Sequence, residues 1–77
     1  MITITNSTNY ISVTSDNQNE VVTIKKTAIT KLVLRKGKIS IFILDEEIPA
    51  FTFAHSDVTA PATATVEALY AALIAYL

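Results

Sequence analysis

Apolar and polar side chains alternate along Ile2-Thr3-Ile4-Thr5, and again along Tyr10-Ile11-Ser12-Val13-Thr14. Successive side chains of a β-strand point to opposite faces, so this period of two describes strands with one dry face and one wet face. A chain that opens this way has to form a sheet and supply a second layer to cover its apolar side. Asn6 to Asn9 divides the two runs as a turn, because Asn and Ser side chains bond readily to nearby backbone. Asp16-Asn17-Gln18-Asn19-Glu20, polar throughout, is the next break.

From Val21 to Arg35 the β-branched content stays high while the alternation changes phase. Val22 and Ile24 share one face, Lys25-Lys26-Thr27 interrupts, and Leu32 and Leu34 resume with Ile29 and Val33 opposite them. A bulge or short turn near Lys26 and Thr27 accounts for the shift. The single glycine of the chain follows, in Lys36-Gly37 between two strand-like runs. Glycine takes positive φ without steric cost, which predicts a tight hairpin over Arg35 to Lys38. Lys38 to Leu44 alternates at first and then turns apolar on both faces, the pattern of a central strand covered on each side. Asp45-Glu46-Glu47 reads as a turn, and Ile48 to Ala54 as a strand with Pro49 at its start or on an edge.

Ser56 to Ala64 reads as a loop, with Thr63 or Thr65 as the cap of a helix. Val66, Leu69, Tyr70, Leu73, Ile74 and Leu77 then recur at the i, i+3, i+4, i+7 spacing of one helical face. The expected fold is α+β: an antiparallel β-meander of about five strands packed on one C-terminal α-helix. Its 77 residues make a single domain over 1–77, with strands within 1–55, a loop over 56–64 and the helix over 65–77.

A chain this short buries only ~60% of its unfolded surface. With no cysteine it has no disulfide or thiolate metal site to brace it. A mean hydropathy of +0.43 means more apolar side chain than one small core hides, which favours a partner subunit. The helix points the same way. Opposite Leu73 lie Ala64, Ala68, Ala71, Ala72 and Ala75, with only Glu67 charged on the flank, where a surface helix normally carries Lys and Glu. Alanine is also the best helix former, so this face has a second, local explanation. The doubly apolar run Ile39 to Leu44 makes a separate demand for cover. The expected contact surfaces are Ala64, Ala68, Ala71, Ala72, Ala75 and Tyr76 on the helix, with Phe42 and Leu44 on the strand.

Side chains that carry chemistry are sparse. His55 is the only imidazole, and Asp57 two residues on is placed to orient it as a general base, yet no nucleophile motif stands beside them. An exposed loop histidine is the ordinary case, and no catalytic residue is expected. One His and scattered carboxylates give no zinc spacing, and Asp45-Glu46-Glu47 lacks the twelve-residue calcium-loop pattern, so no metal site is expected. One glycine rules out a Gly-rich phosphate loop, and no cofactor is expected.

Lys25, Lys26, Lys31, Arg35, Lys36 and Lys38 carry all the positive charge of a chain whose net charge is −1, with no acid among them. A basic two-stranded ribbon suits a nucleic-acid groove. The segment lacks aromatics to stack on bases, and cations on hairpin tips and edge strands ordinarily guard against edge-to-edge pairing. Nucleic-acid binding through a basic hairpin 25–38 is therefore the alternative reading, behind self-association.

Met1 to Tyr10 has neither a basic n-region nor a continuous apolar run, so no secretory signal is expected and Asn6-Ser7-Thr8 reads as a turn rather than a glycosylation site. Val58 to Leu77 is interrupted by Pro61 and Glu67, which argues against a membrane span. A Thr/Asn-rich first strand, the Lys36-Gly37-Lys38 hairpin and the Ala-rich final helix together resemble small structural proteins of tailed-bacteriophage virions. That resemblance is a pattern over the whole chain. It implies a component of head, connector or tail that acts by assembling, with no catalytic residues. The expectation is a non-catalytic structural or assembly protein, a homo-oligomer or part of a larger complex, located in the cytoplasm or a virion.

Overall fold

The computed structural model describes residues 1–16 and 19–77; Asn17 and Gln18, within the break expected at Asp16 to Glu20, lie outside the described residues. Ile2–Asn6 (β1) and Tyr10–Ser15 (β2) pair antiparallel with Ile4 opposite Val13, and Glu20–Lys25 (β3) adds to β2 with Ile11 opposite Ile24. Period-two patterning sorts the faces as expected. Ile4, Ile11 and Val13 are each 3% exposed on the inner side, while on the outer side the hydroxyls of Ser12 and Thr23 meet at 3.2 Å.

A 3-10 turn over Lys26–Ala28 sits where the phase change predicts a bulge or turn. It leads the chain out of the first sheet and into a second, built from Ile29–Arg35 (β4), Lys38–Ile43 (β5) and Phe51–Ala54 (β6) in the order β4-β5-β6, all antiparallel. The β4–β5 hairpin turns on Lys36 and Gly37 at φ 53° and 76°, with Arg35 opposite Lys38. Two consecutive residues of positive φ are the type I′ geometry that matches strand twist. β5 is the central strand, and β6 begins beyond Pro49, as a residue without an N–H donor requires. Ile29 packs against the core rather than away from it, because the ladder slips between Ile29 and Lys31 and resets the faces.

The strands depart from expectation in two ways. The single meander of about five strands is, among the described residues, seven strands in two sheets. The reason is the redirection at Lys26–Ala28, which separates β3 from β4 instead of letting them pair as neighbours. Part of the expected 56–64 loop is the other difference: Val58–Ala60 (β7) pairs parallel to β1, Val58 opposite Ile2, and completes a sheet of order β3-β2-β1-β7. Three residues are too few to display an alternation, and their partner lies more than fifty positions away.

The last element is Val66–Tyr76 (α1), started by Thr65, whose side-chain oxygen accepts from the Ala68 N–H at 3.1 Å. It packs on β4 and β5. Leu69 and Leu73 join Ile39, Ile41 and Phe53 of the second sheet and Ile4, Ile11 and Val13 of the first in one core. Ile39 and Leu69 are wholly enclosed at 0% exposure, and full burial of such a side chain contributes about 1.5–3 kcal/mol.

The helix sits rotated from the expected face. Ile74 and Leu77 are 48% and 52% exposed, while Ala72 and Tyr76 are half-buried. At 100° per residue Ile74 stands about 120° from the Leu69–Leu73 direction and Tyr76 only about 40° from it. Leu77 lies beyond the last helical turn. The rotation lets Tyr70 reach β4, where its hydroxyl donates to the Leu32 carbonyl at 3.1 Å.

Candidate interaction surfaces

The outward strip of α1 carries Glu67, Ala68, Ala71, Ile74 and Ala75, all exposed, and Ala64 is exposed just ahead of the helix. Only Glu67 is charged. Of the eight expected contact residues, Ala64, Ala68, Ala71, Ala75 and Leu44 lie at the surface. Ala72 and Tyr76 instead turn towards the sheet, and Tyr76 packs against the core. Phe42 is half-buried, with the Lys31 ammonium 4.6 Å from its ring centroid. The cover that the doubly apolar strand demands thus comes partly from within the chain, as a cation over an aromatic face.

The six cations do not form one basic hairpin. Lys25 ends β3 in the first sheet and Lys26 opens the 3-10 turn, whereas Lys31 and Arg35 stand on β4, Lys36 in the turn and Lys38 on β5. Lys31, Arg35 and Lys38 share the outer face of the second sheet, since Leu32, Leu34, Ile39 and Ile41 take the inner one. The aromatics that the sequence places elsewhere arrive through strand pairing: Phe42 stands opposite Lys31, and Tyr10 opposite Lys25.

Lys25 and Lys26 belong to a separate feature. A cleft of about 470 Å³ is lined by Thr8, Asn9 and Tyr10 from the β1–β2 turn, by Lys25, Lys26 and Thr27, and by Leu77. The Lys26 N–H donates to the Asn9 carbonyl at 2.9 Å and ties its two main walls together. None of the seven side chains is acidic. The acids of the first sheet, Asp16 and Glu20, lie at its far end, since Ser15 pairs with Glu20 and Tyr10 with Lys25. Five strand steps between those pairs span roughly 17 Å. Sequence reading misses this cleft because its parts meet only through the β2–β3 register and the docking of the helix end.

Beside it runs the turn after β5. Leu44 and Asp45 both hold positive φ, at 53° and 58°, and the Glu46 N–H donates to the Ile43 carbonyl at 3.0 Å. The Leu44 N–H donates to the Ala28 carbonyl, also at 3.0 Å, which fixes this turn against the 3-10 turn that bears Lys26. Asp45, Glu46 and Glu47 are exposed, flanked by Leu44 at 66% and Ile48 at 77% exposure.

His55 and Asp57 are occupied separately. His55 Nε2 lies 2.8 Å from the Thr63 carbonyl and 3.1 Å from its hydroxyl, and Asp57 Oδ2 accepts from the Ala54 N–H at 3.1 Å. Asp57 closes a local turn, and His55 ties that turn to the segment ahead of the helix, across β7. Among the described residues no three His, Cys, Asp or Glu side chains gather as a metal-binding group, and no helix is long and apolar enough to cross a membrane. No protein-family model, curated protein or solved structure matches the chain.

Proposed function

We propose that the chain is a non-catalytic structural protein that self-associates, with the outward strip of α1 as its contact surface. The observation that carries this reading is that Ala68, Ala71, Ile74 and Ala75 face water together with a single charge, Glu67, beside them. Small side chains let a second backbone approach closely, and Ile74 supplies an apolar anchor whose transfer out of water favours association. Ala71→Glu and Ala75→Glu place a charge in the middle of that contact. Sedimentation should show either variant folded but lighter than the unaltered protein, and an unchanged mass moves the interface elsewhere. The virion of a tailed phage is the setting that the chain-wide pattern of strand, hairpin and Ala-rich helix favours.

A second reading has its own observation: Lys31, Arg35 and Lys38 stand together on the outer face of the second sheet, with Phe42 among them. That is a phosphate-binding surface with one aromatic neighbour. It predicts nucleic-acid binding that weakens steeply with salt, with a shallower slope when Lys31 and Lys38 are changed to Gln. Binding whose salt slope ignores those changes would exclude this face.

A further inference from the structure

We infer that the acidic turn Asp45–Glu47 of one copy docks into the basic cleft of Lys25 and Lys26 of a second copy, reciprocally, about a twofold axis. This rests on the reading that the chain self-associates, and it names a second contact of different chemistry from the helix strip.

Three observations carry it. First, the two partners complement each other in charge: the cleft brings two lysines and no acidic side chain, and the turn brings three carboxylates and no cation. Second, they match in their apolar parts. The turn holds Leu44 and Ile48 out in water on either side of its acids, and the cleft has the Tyr10 ring and Leu77 in its walls. Leu44 moreover sits at φ 53°, a conformation that costs a bulky side chain, yet it remains 66% exposed within its own chain. Third, the Leu44–Ala28 hydrogen bond sets turn and cleft side by side on one edge. A surface that carries its own complement next to it is self-complementary, and two copies then meet by the same patch on each, as an isologous pair requires. If α1 pairs copies as well, two different contacts on one chain link copies onward instead of stopping at a pair.

Paired charge reversals test the contact. Lys25→Glu/Lys26→Glu makes cleft and turn both acidic; Glu46→Lys/Glu47→Lys makes both basic. Asp45 is kept, because its positive φ suits Asp better than Lys. All four altered side chains are exposed or half-buried, and far-ultraviolet circular dichroism checks that each variant remains folded. In low salt, sedimentation velocity should show the unaltered chain growing beyond the dimer. Each variant alone should stop at the pair formed through α1, its second dissociation constant raised at least about tenfold by four lost exposed ion pairs. An equimolar mixture should regain the larger species, since the acidic turn of one variant then meets the basic cleft of the other, and the basic turn of the second meets the acidic cleft of the first. Variants that assemble as the unaltered chain does, or a mixture that stays at the pair, would overturn the contact while leaving self-association through α1 intact. An unaltered chain that is monomeric throughout would overturn both.

Discussion

Tyr70 reaches from the helix to β4 and donates its phenolic hydrogen to the main-chain carbonyl of Leu32 at 3.1 Å. It does so from a half-buried position, as the polar tip of a ring that otherwise packs on the core. The bond goes with the rotation of α1: Tyr70 and Tyr76 are turned inward and Ile74 is left outside. Tyr70→Phe keeps the ring and removes the donor. It should cost about 1 kcal/mol in urea unfolding, the net worth of one such bond. An unchanged midpoint would mean that Leu69 and Leu73 alone fix the helix.

His55 and Thr63 form the corresponding anchor at the other end of the helix, across the segment that holds β7. His55→Ala and Thr63→Val should each destabilise the fold by roughly 1 kcal/mol. A double-mutant cycle should return a coupling energy of at least about 0.5 kcal/mol. Strict additivity would show that the imidazole holds the loop through the Thr63 carbonyl alone.

Gly37 and Leu44 are both in the left-handed region, and only one of them is suited to it. An added methyl at Gly37 meets nothing within 4 Å, so Gly37→Ala isolates the backbone cost at φ +76°, about 1 kcal/mol destabilising. Leu44→Asn should stabilise the monomer by about 0.5–1 kcal/mol, because Asn tolerates positive φ and gives up little burial at a position 66% exposed. Thermal unfolding of both variants tests this, and a less stable Leu44→Asn would show that Leu44 is held by contacts within its own chain.

Local chemistry was legible wherever a residue's role depends on its neighbours in sequence. The period-two alternation of Ile2 to Thr5 and Tyr10 to Thr14, the Lys36-Gly37 turn and the interruption at Lys26 and Thr27 all became the elements they suggest, and of the two cap candidates, Thr63 and Thr65, Thr65 takes the role. What the pattern could not carry was set by distant partners. β7 exists because Val58 finds Ile2, and the division into two sheets follows from the direction in which a 3-10 turn releases the chain. Ile74 and Tyr76 exchanged sides because the i, i+3, i+4, i+7 spacing admits Ile74, although it stands about 120° from the Leu69–Leu73 direction, and passes over Tyr76, which stands only about 40° from it. The basic cleft was invisible for the same reason, being assembled from a turn, a strand end and the close of the helix. The Ala strip was legible as composition, and its exposure is what the fold adds.

Self-association is the central claim, and absolute mass by light scattering over a concentration series, in low and in high salt, tests it most directly. The account predicts mass above the monomer that rises with concentration in both conditions, is larger in low salt, and falls towards the monomer in high salt when Ala71 is changed to Glu. A monomer at every concentration in both salts would contradict it.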